Sequence, residues 1–195
     1  KVVTMRRPAH RRQHGFTLIE VLITMVILAI GLLGLAGLQA RLKVLQIESY
    51  QRAQALMLLK DMAGRVANNR NNAAAYAVFD SASPVSATTN CAAINTATRQ
   101  GADIAEWCTL LQGASELSEA GNEVGAMVGA RGCIDNLGGD QYLVTVAWQG
   151  LAPISAPPES VACGVDQYDG GADSPCQDDL CRRVVTTIVR IATLT

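Results

Sequence analysis

Histidine is nearly missing from this sequence: there are two, His10 and His14, and both fall within its first fifteen residues. Beyond Gly15 no imidazole is available, which removes His-based triads and His metal ligands from that stretch. No glycine-rich phosphate loop follows a strand-like run, so nucleotide chemistry has no support. None of the six cysteines is spaced Cys-x-x-Cys, which argues against a thioredoxin-like centre and a zinc ribbon. Aromatics are few at 4%, charged residues are sparse at 17%, and no internal repeat recurs. These shortages point away from an enzyme and imply neither a cofactor nor a resident metal.

The charges that are present are unevenly placed. Lys1, Arg6, Arg7, Arg11 and Arg12 crowd the start, and no acid precedes Glu20. Taking those five from the 16 basic residues leaves 11 against 17 acids, so the remainder carries about −6. A basic block ahead of an apolar run marks the cytoplasmic side of a membrane segment. It is too short, and too poor in aromatic or folded context, to suggest a nucleic-acid partner. From Phe16 to Leu38 only Thr17, Glu20 and Thr24 are polar. As a helix this run spans roughly 35 Å, enough to cross a hydrocarbon core. A cleavable secretory signal would have a shorter apolar region, about 7–15 residues, and no acid near its start. A single-pass signal anchor is the plain alternative. Within a bilayer a carboxylate costs at least ~2.5–3.5 kcal/mol, which makes Glu20 a functional candidate unless it reaches headgroup water.

Good helix formers continue from Gln39 to Val66, with Leu42, Leu45, Ser49, Arg52, Leu56, Leu59, Ala63 and Val66 on one broad face. Asn68, Asn69, Asn71 and Asn72 then supply a stop. One helix of about fifty residues is expected, against a usual ~11–12. Gly31, Gly34 and Gly37 fit either close helix packing or ordinary tolerance of glycine in a membrane span. Residues 76–100 read as a connector, and Asp103-x-x-Glu106 reads as the capped start of a short amphipathic helix bearing Ile104, Trp107, Cys108 and Leu111. Three strands are expected at Val124–Ile134, Tyr142–Gln149 and Arg183–Leu194, giving an α+β fold with a small antiparallel sheet on the polar half of the helix.

All six cysteines lie beyond the apolar run, in a region expected to be exported, so up to three disulfides with 15 possible connectivities are implied. Cys163 and Cys181 flank the loop between the last two strands, and a bridge there would close about 18 residues, worth roughly 3 kcal/mol in the chain-entropy model. Cys91–Cys108 would pin the connector to the short helix and leave Cys133–Cys176, although Cys176 and Cys181 are close enough to trade roles. Asp166, Asp169, Asp173, Asp178 and Asp179 offer oxygen ligands that calcium would accept. Their spacing is not that of an EF-hand, and a solvated acidic loop is the default reading.

The junction Gly15-Phe16-Thr17-Leu18-Ile19-Glu20-Val21-Leu22 resembles the type III signal of type IV prepilins and pseudopilins. That resemblance implies cleavage by a prepilin peptidase after Gly15, N-methylation of Phe16 and an assembly role for Glu20. Phe16 and Glu20 are one helical turn apart, so the new amine could pair with the carboxylate in the same chain or in a neighbour. It also implies the type IV pilin fold: leader 1–15, transmembrane half-helix 16–38, amphipathic half-helix 39–67, and a periplasmic head at 68–195. Arg131-Gly132-Cys133-Ile134 and Tyr142-Leu143-Val144-Thr145-Val146-Ala147-Trp148, with the cysteine-rich loop and β-branched end, resemble the PilV type of minor pilin. Gly37 stands where major pilins commonly carry proline, and the extra cysteines also favour a minor component. The implied partners are the prepilin peptidase, other minor pilins, the major pilin, the inner-membrane assembly machinery and the lipid bilayer. The implied role is initiation of a pilus and a place at its tip, first in the inner membrane and then at the cell surface. A type II secretion pseudopilin, a class in which some members bind calcium, is the alternative. A lectin-like adhesin would favour exposed aromatics, whereas Trp107 and Trp148 both sit on apolar stripes.

Overall fold

The computed structural model describes residues 15–114, 119, 125 and 127–192. Most of the expected leader, with its basic cluster and both histidines, lies outside the described residues, as do Val124 and Leu194 of two expected strands. The chain divides into two compact units, Lys1–Lys43 and Val44–Thr195.

Helix α1 runs over Leu18–Asn68, 51 residues without a proline. It ends within the asparagine cluster expected to stop it: the Asn69 amide shares the carbonyls of Arg65 (3.1 Å) and Val66 (3.2 Å), which tightens the last turn. Tight 3-10 turns follow over Arg70–Val78, kinked at Asn72. In the first unit α1 stands with its apolar side chains exposed. In the second unit it buries Gln51, Gln54, Ala55, Leu58, Leu59, Met62 and Val66. This corrects the expected face. Leu45 is 64% and Leu56 38% exposed, and only Leu59 and Val66 of the expected set are buried. The expected residues follow a seven-residue repeat, which drifts about 20° per heptad around a straight helix, so they wind off the side that meets the head.

Helix α2 covers Arg99–Leu111 and begins earlier than expected, because Thr98 is its cap and accepts the Gly101 amide at 3.3 Å. Asp103 and Glu106 lie inside the helix and face Arg65 instead of capping anything. Ile104, Trp107, Cys108 and Leu111 form its buried stripe. Strands β1 (Val85–Ser86), β2 (Arg131–Gly138), β3 (Gln141–Gln149) and β4 (Arg182–Arg190) form one antiparallel sheet in that order. β2 starts later than the expected Val124 because Met127–Ala130 makes a turn, with Gly129 at φ +60. Gly139 and Asp140, both at φ 57, form the two-residue connection to β3, the left-handed pair that a tight hairpin requires.

The sheet is covered on both faces. Ile134, Val144, Val146, Trp148, Val185 and Val189 join the buried α1 and α2 residues in one core. On the opposite face Cys133, Ala147, Cys163 and Tyr168 form a second cluster beneath the long β3–β4 loop. A long N-terminal apolar helix with a small four-stranded antiparallel sheet is the α+β arrangement expected of a type IV pilin fold.

The disulfides are Cys91–Cys108, Cys133–Cys163 and Cys176–Cys181. Cys133–Cys176 and Cys163–Cys181 are therefore replaced. Cys133 faces outward from β2, and the loop's first cysteine crosses that face with its Cα 5.9 Å away. Asp178 and Asp179, at φ 50 and 61, then fold the chain back so that Cys176 meets Cys181 at a Cα separation of 5.2 Å. A backbone bond from the Gly150 amide to the Cys181 carbonyl (2.8 Å) closes the base of the loop where a disulfide was expected.

Candidate functional site

The expected processing residues lie at the start of α1. The Thr17 hydroxyl accepts the Glu20 amide at 3.3 Å, and its carbonyl receives the amides of Glu20 and Val21. Thr17-x-x-Glu20 has the spacing of a capping box, a signal that the family motif overshadowed. It sets Glu20 in the first turn, beside unsatisfied amides and the positive end of the helix dipole. Thr24 returns its hydroxyl to the Val21 carbonyl at 2.8 Å, which leaves Glu20 as the charged group of the run.

Gly15 and Phe16 precede the helix and are exposed, Phe16 by 83%. Among the described residues, its chain neighbours aside, no atom lies within 4 Å of the point where a Gly15 Cβ would sit, so their packing does not call for glycine there. Helix α1 begins at Leu18, two residues after Phe16. Beyond this junction the apolar side chains stand exposed: Leu18 by 81% and Leu33 by 74%. Helix α1 is long and apolar enough to cross a membrane. Such a continuous apolar surface is not stable in water and calls for lipid or other helices.

Charged groups of the head serve mainly as fasteners. Arg65 reaches Asp61 (2.8 Å), Glu106 (2.8 Å) and Asp103 (3.2 Å). Asp103 also accepts the Tyr76 hydroxyl at 2.5 Å, and Asn69 donates to that hydroxyl at 3.1 Å. The hydrogen bond to Arg65 holds the Glu106 carboxyl below its ordinary value. Burial, helped by Asp103, pushes Tyr76 up to about 12. The cluster joins α1, the 3-10 segment and α2 but presents no nucleophile beside a base. Glu48 on α1 accepts the Leu151 amide at 2.8 Å and lies 3.4 Å from Arg183.

The acidic loop is partly committed to internal contacts. Asp179 accepts the Asp166 amide (3.0 Å) and pairs with the buried Arg182 (3.1 Å), while Asp169 accepts the Asp179 amide (2.9 Å). Asp166, Asp173 and Asp178 are exposed. Trp107 and Trp148 are buried, so neither offers a face for stacking a sugar. An open depression of about 400 Å³ between the connector and α2 is lined by residues such as Phe79, Ile94 and Ile104, and among the described residues no charged side chain lines it.

Residues 10–36 match the family model of the prokaryotic N-terminal methylation motif. No curated protein and no solved structure matches the chain. A prepilin-type methylation motif implies processing by prepilin peptidase and assembly into pilus-type machinery. Together with the long apolar helix and the small disulfide-bonded head, the motif supports a type IV pilin-like protein.

Proposed function

We propose that this chain is a minor pilin of a type IV pilus, of the PilV type, that helps to initiate pilus assembly and resides at the tip. In this reading the leader stays in the cytoplasm, residues 16–38 span the inner membrane, and residues 68–195 form the periplasmic head. Prepilin peptidase cuts after Gly15, Phe16 is methylated, and the Glu20 carboxylate meets an N-terminal amine of a neighbouring subunit. The observation that carries the reading is the methylation motif at the head of a fully exposed apolar half-helix whose acid is Glu20. A charged group in that run is costly in lipid and repaid by a cationic partner brought in by assembly. Three disulfides suit an oxidising compartment and support a head with few aromatics. Mass spectrometry of purified pili and of purified secretion apparatus tests the assignment. Recovery with pili supports it; recovery with the secretion apparatus alone replaces it by the pseudopilin reading.

A further inference from the structure

The two edges of the sheet differ. One is the two-residue β1; the other is β4, nine residues long, whose centre Val184-Val185-Thr186-Thr187-Ile188-Val189 is wholly β-branched. The direction of each β4 peptide group follows from the register. The Ile134 amide donates to Phe79 at 2.7 Å, away from β3, so its β3 partner Val144 turns its own groups toward β4, where it meets Thr187. Alternation then sends Val185, Thr187 and Val189 to β3 and points the N–H and C=O of Val184, Thr186, Ile188 and Arg190 away from the sheet. The Ile191 amide on the Asp140 carbonyl (2.9 Å) obeys the same alternation. Among the described residues, none of these outward N–H and C=O groups has a hydrogen-bond partner. Their side chains at Thr186, Ile188 and Arg190 are exposed, and Arg190 forms no ion pair among the described residues, unlike Arg182 and Arg183 at the other end.

An open row of alternating donors and acceptors is complementary to one class of ligand, an extended polypeptide. We propose that β4 is a docking edge for an extended segment of a different exported protein, which adds as a fifth strand and sets a carboxylate against Arg190. A second copy fits poorly. β4 carries Arg182, Arg183 and Arg190 and no acid, so antiparallel self-pairing would set the Arg190 end of each copy beside the arginines at the start of the other. The edge is independent of which filament the chain joins.

Amide-resolved hydrogen exchange on the full-length chain in detergent micelles tests this, using two synthetic nine-residue peptides of alternating Thr and Val, one with Glu at both ends and one with Lys. Without peptide, the Thr186 and Ile188 amides should exchange freely while Val185 and Thr187 are protected. The Glu-ended peptide should slow Thr186 and Ile188 by about tenfold or more, and the Lys-ended peptide should do less. Arg190→Glu should invert that preference, and Ile188→Pro, which removes an outward N–H without touching the β3 ladder, should abolish the protection. Protection of Thr186 and Ile188 in the free chain would mean that the edge is already covered and would overturn the proposal. So would concentration-dependent protection without peptide, which would give the edge to a second copy. No slowing by the Glu-ended peptide, or equal slowing by both peptides, would overturn it as well.

Discussion

Gly132 should be the least replaceable residue of β2, and the reason is Trp107. A Cβ built on Gly132 would lie 2.3 and 2.5 Å from two atoms of the Trp107 ring and 2.7 Å from a Leu111 methyl, where ordinary contact begins at 3.4 Å. The ring has nowhere to retreat, being fully buried with its Nε1–H donated to the Leu58 carbonyl at 3.0 Å. Gly132→Ala must therefore push α2 off the sheet by about 1 Å. Overpacking of this kind costs ~1–3 kcal/mol, and straining the indole hydrogen bond adds ~1 kcal/mol, so a loss of about 2–4 kcal/mol is expected. Urea unfolding of the oxidised 44–195 unit, followed by far-UV circular dichroism, measures it. Trp107→Phe removes the ring atoms that the new methyl would strike. In that background Gly132→Ala should cost less than half as much, the residue of the penalty coming from Leu111. Two single effects that simply add, within ~0.5 kcal/mol, would show that the indole does not set the glycine requirement and would refute the reasoning.

Intact-mass analysis of the mature protein should give a chain starting at Phe16 with one added methyl group, and Gly15→Leu should accumulate as an uncleaved membrane precursor; a cut inside the apolar run would exclude the prepilin assignment. Glu20→Ala should be processed and inserted normally yet be depleted from sheared pili relative to the membrane, and wild-type incorporation would remove the assembly role. Non-reducing peptide mapping should return Cys91–Cys108, Cys133–Cys163 and Cys176–Cys181, and six alkylatable thiols in periplasmic material would contradict the oxidised head. The Arg65 cluster should give stability a limb at each end of the pH scale. Arg65 holds Glu106 below its ordinary 4.5, so that contribution is complete above this value and lost as pH falls through the lower folded value; Glu106→Gln should flatten the acid limb. Tyr76, raised from 10.0 to about 12, contributes fully below 10 and loses its contribution as pH rises toward 12, so Tyr76→Phe should flatten the alkaline limb.

What could be read from the sequence follows how locally each feature is encoded. The period-2 alternation Tyr142, Val144, Val146, Trp148 located β3 because one uninterrupted strand carries its own pattern, and all four residues are buried. β2 was misplaced for the same reason in reverse. Its pattern is broken by Gly132, which is a seat for a tryptophan from another element, and its end is set by the turn pair Gly139-Asp140. The inner face of α1 was misread because apolar residues occupy more than one side of the helix. Periodicity finds apolar stripes; it cannot say which stripe meets the sheet and which meets something outside the chain. Gln51 and Gln54 are buried on that helix although polarity alone would have sent them outward.

The site divides along the same line. Gly15, Phe16 and Glu20 are legible as candidates because the methylation motif that holds them is written in consecutive letters and needs no fold to be read. Of the disulfides, Cys91–Cys108 was legible from the connector and the short helix, but the other two were not, since their pairing depends on which side of the sheet each cysteine faces. Cys133 sits on the face opposite the helices, and that single fact draws Cys163 to it and leaves Cys176 only Cys181. The Arg65 cluster was equally hidden. Asp103 and Glu106 looked like a helix cap because their spacing is that of a cap, while the residue that needs them lies on α1, far away in the sequence. A carboxylate pair at i, i+3 thus has two possible tasks, serving its own helix end or a cation on a neighbour. Burial decides between them: a cap stays at the solvent-facing start of its helix, whereas Asp103 is buried and hydrogen-bonded to a buried tyrosine. Once Asp103 is enclosed as a carboxylate, an arginine beside it becomes a physical necessity, and Arg65, one turn from the end of α1, meets it at 3.2 Å while the exposed Arg99 stands farther off at 3.9 Å.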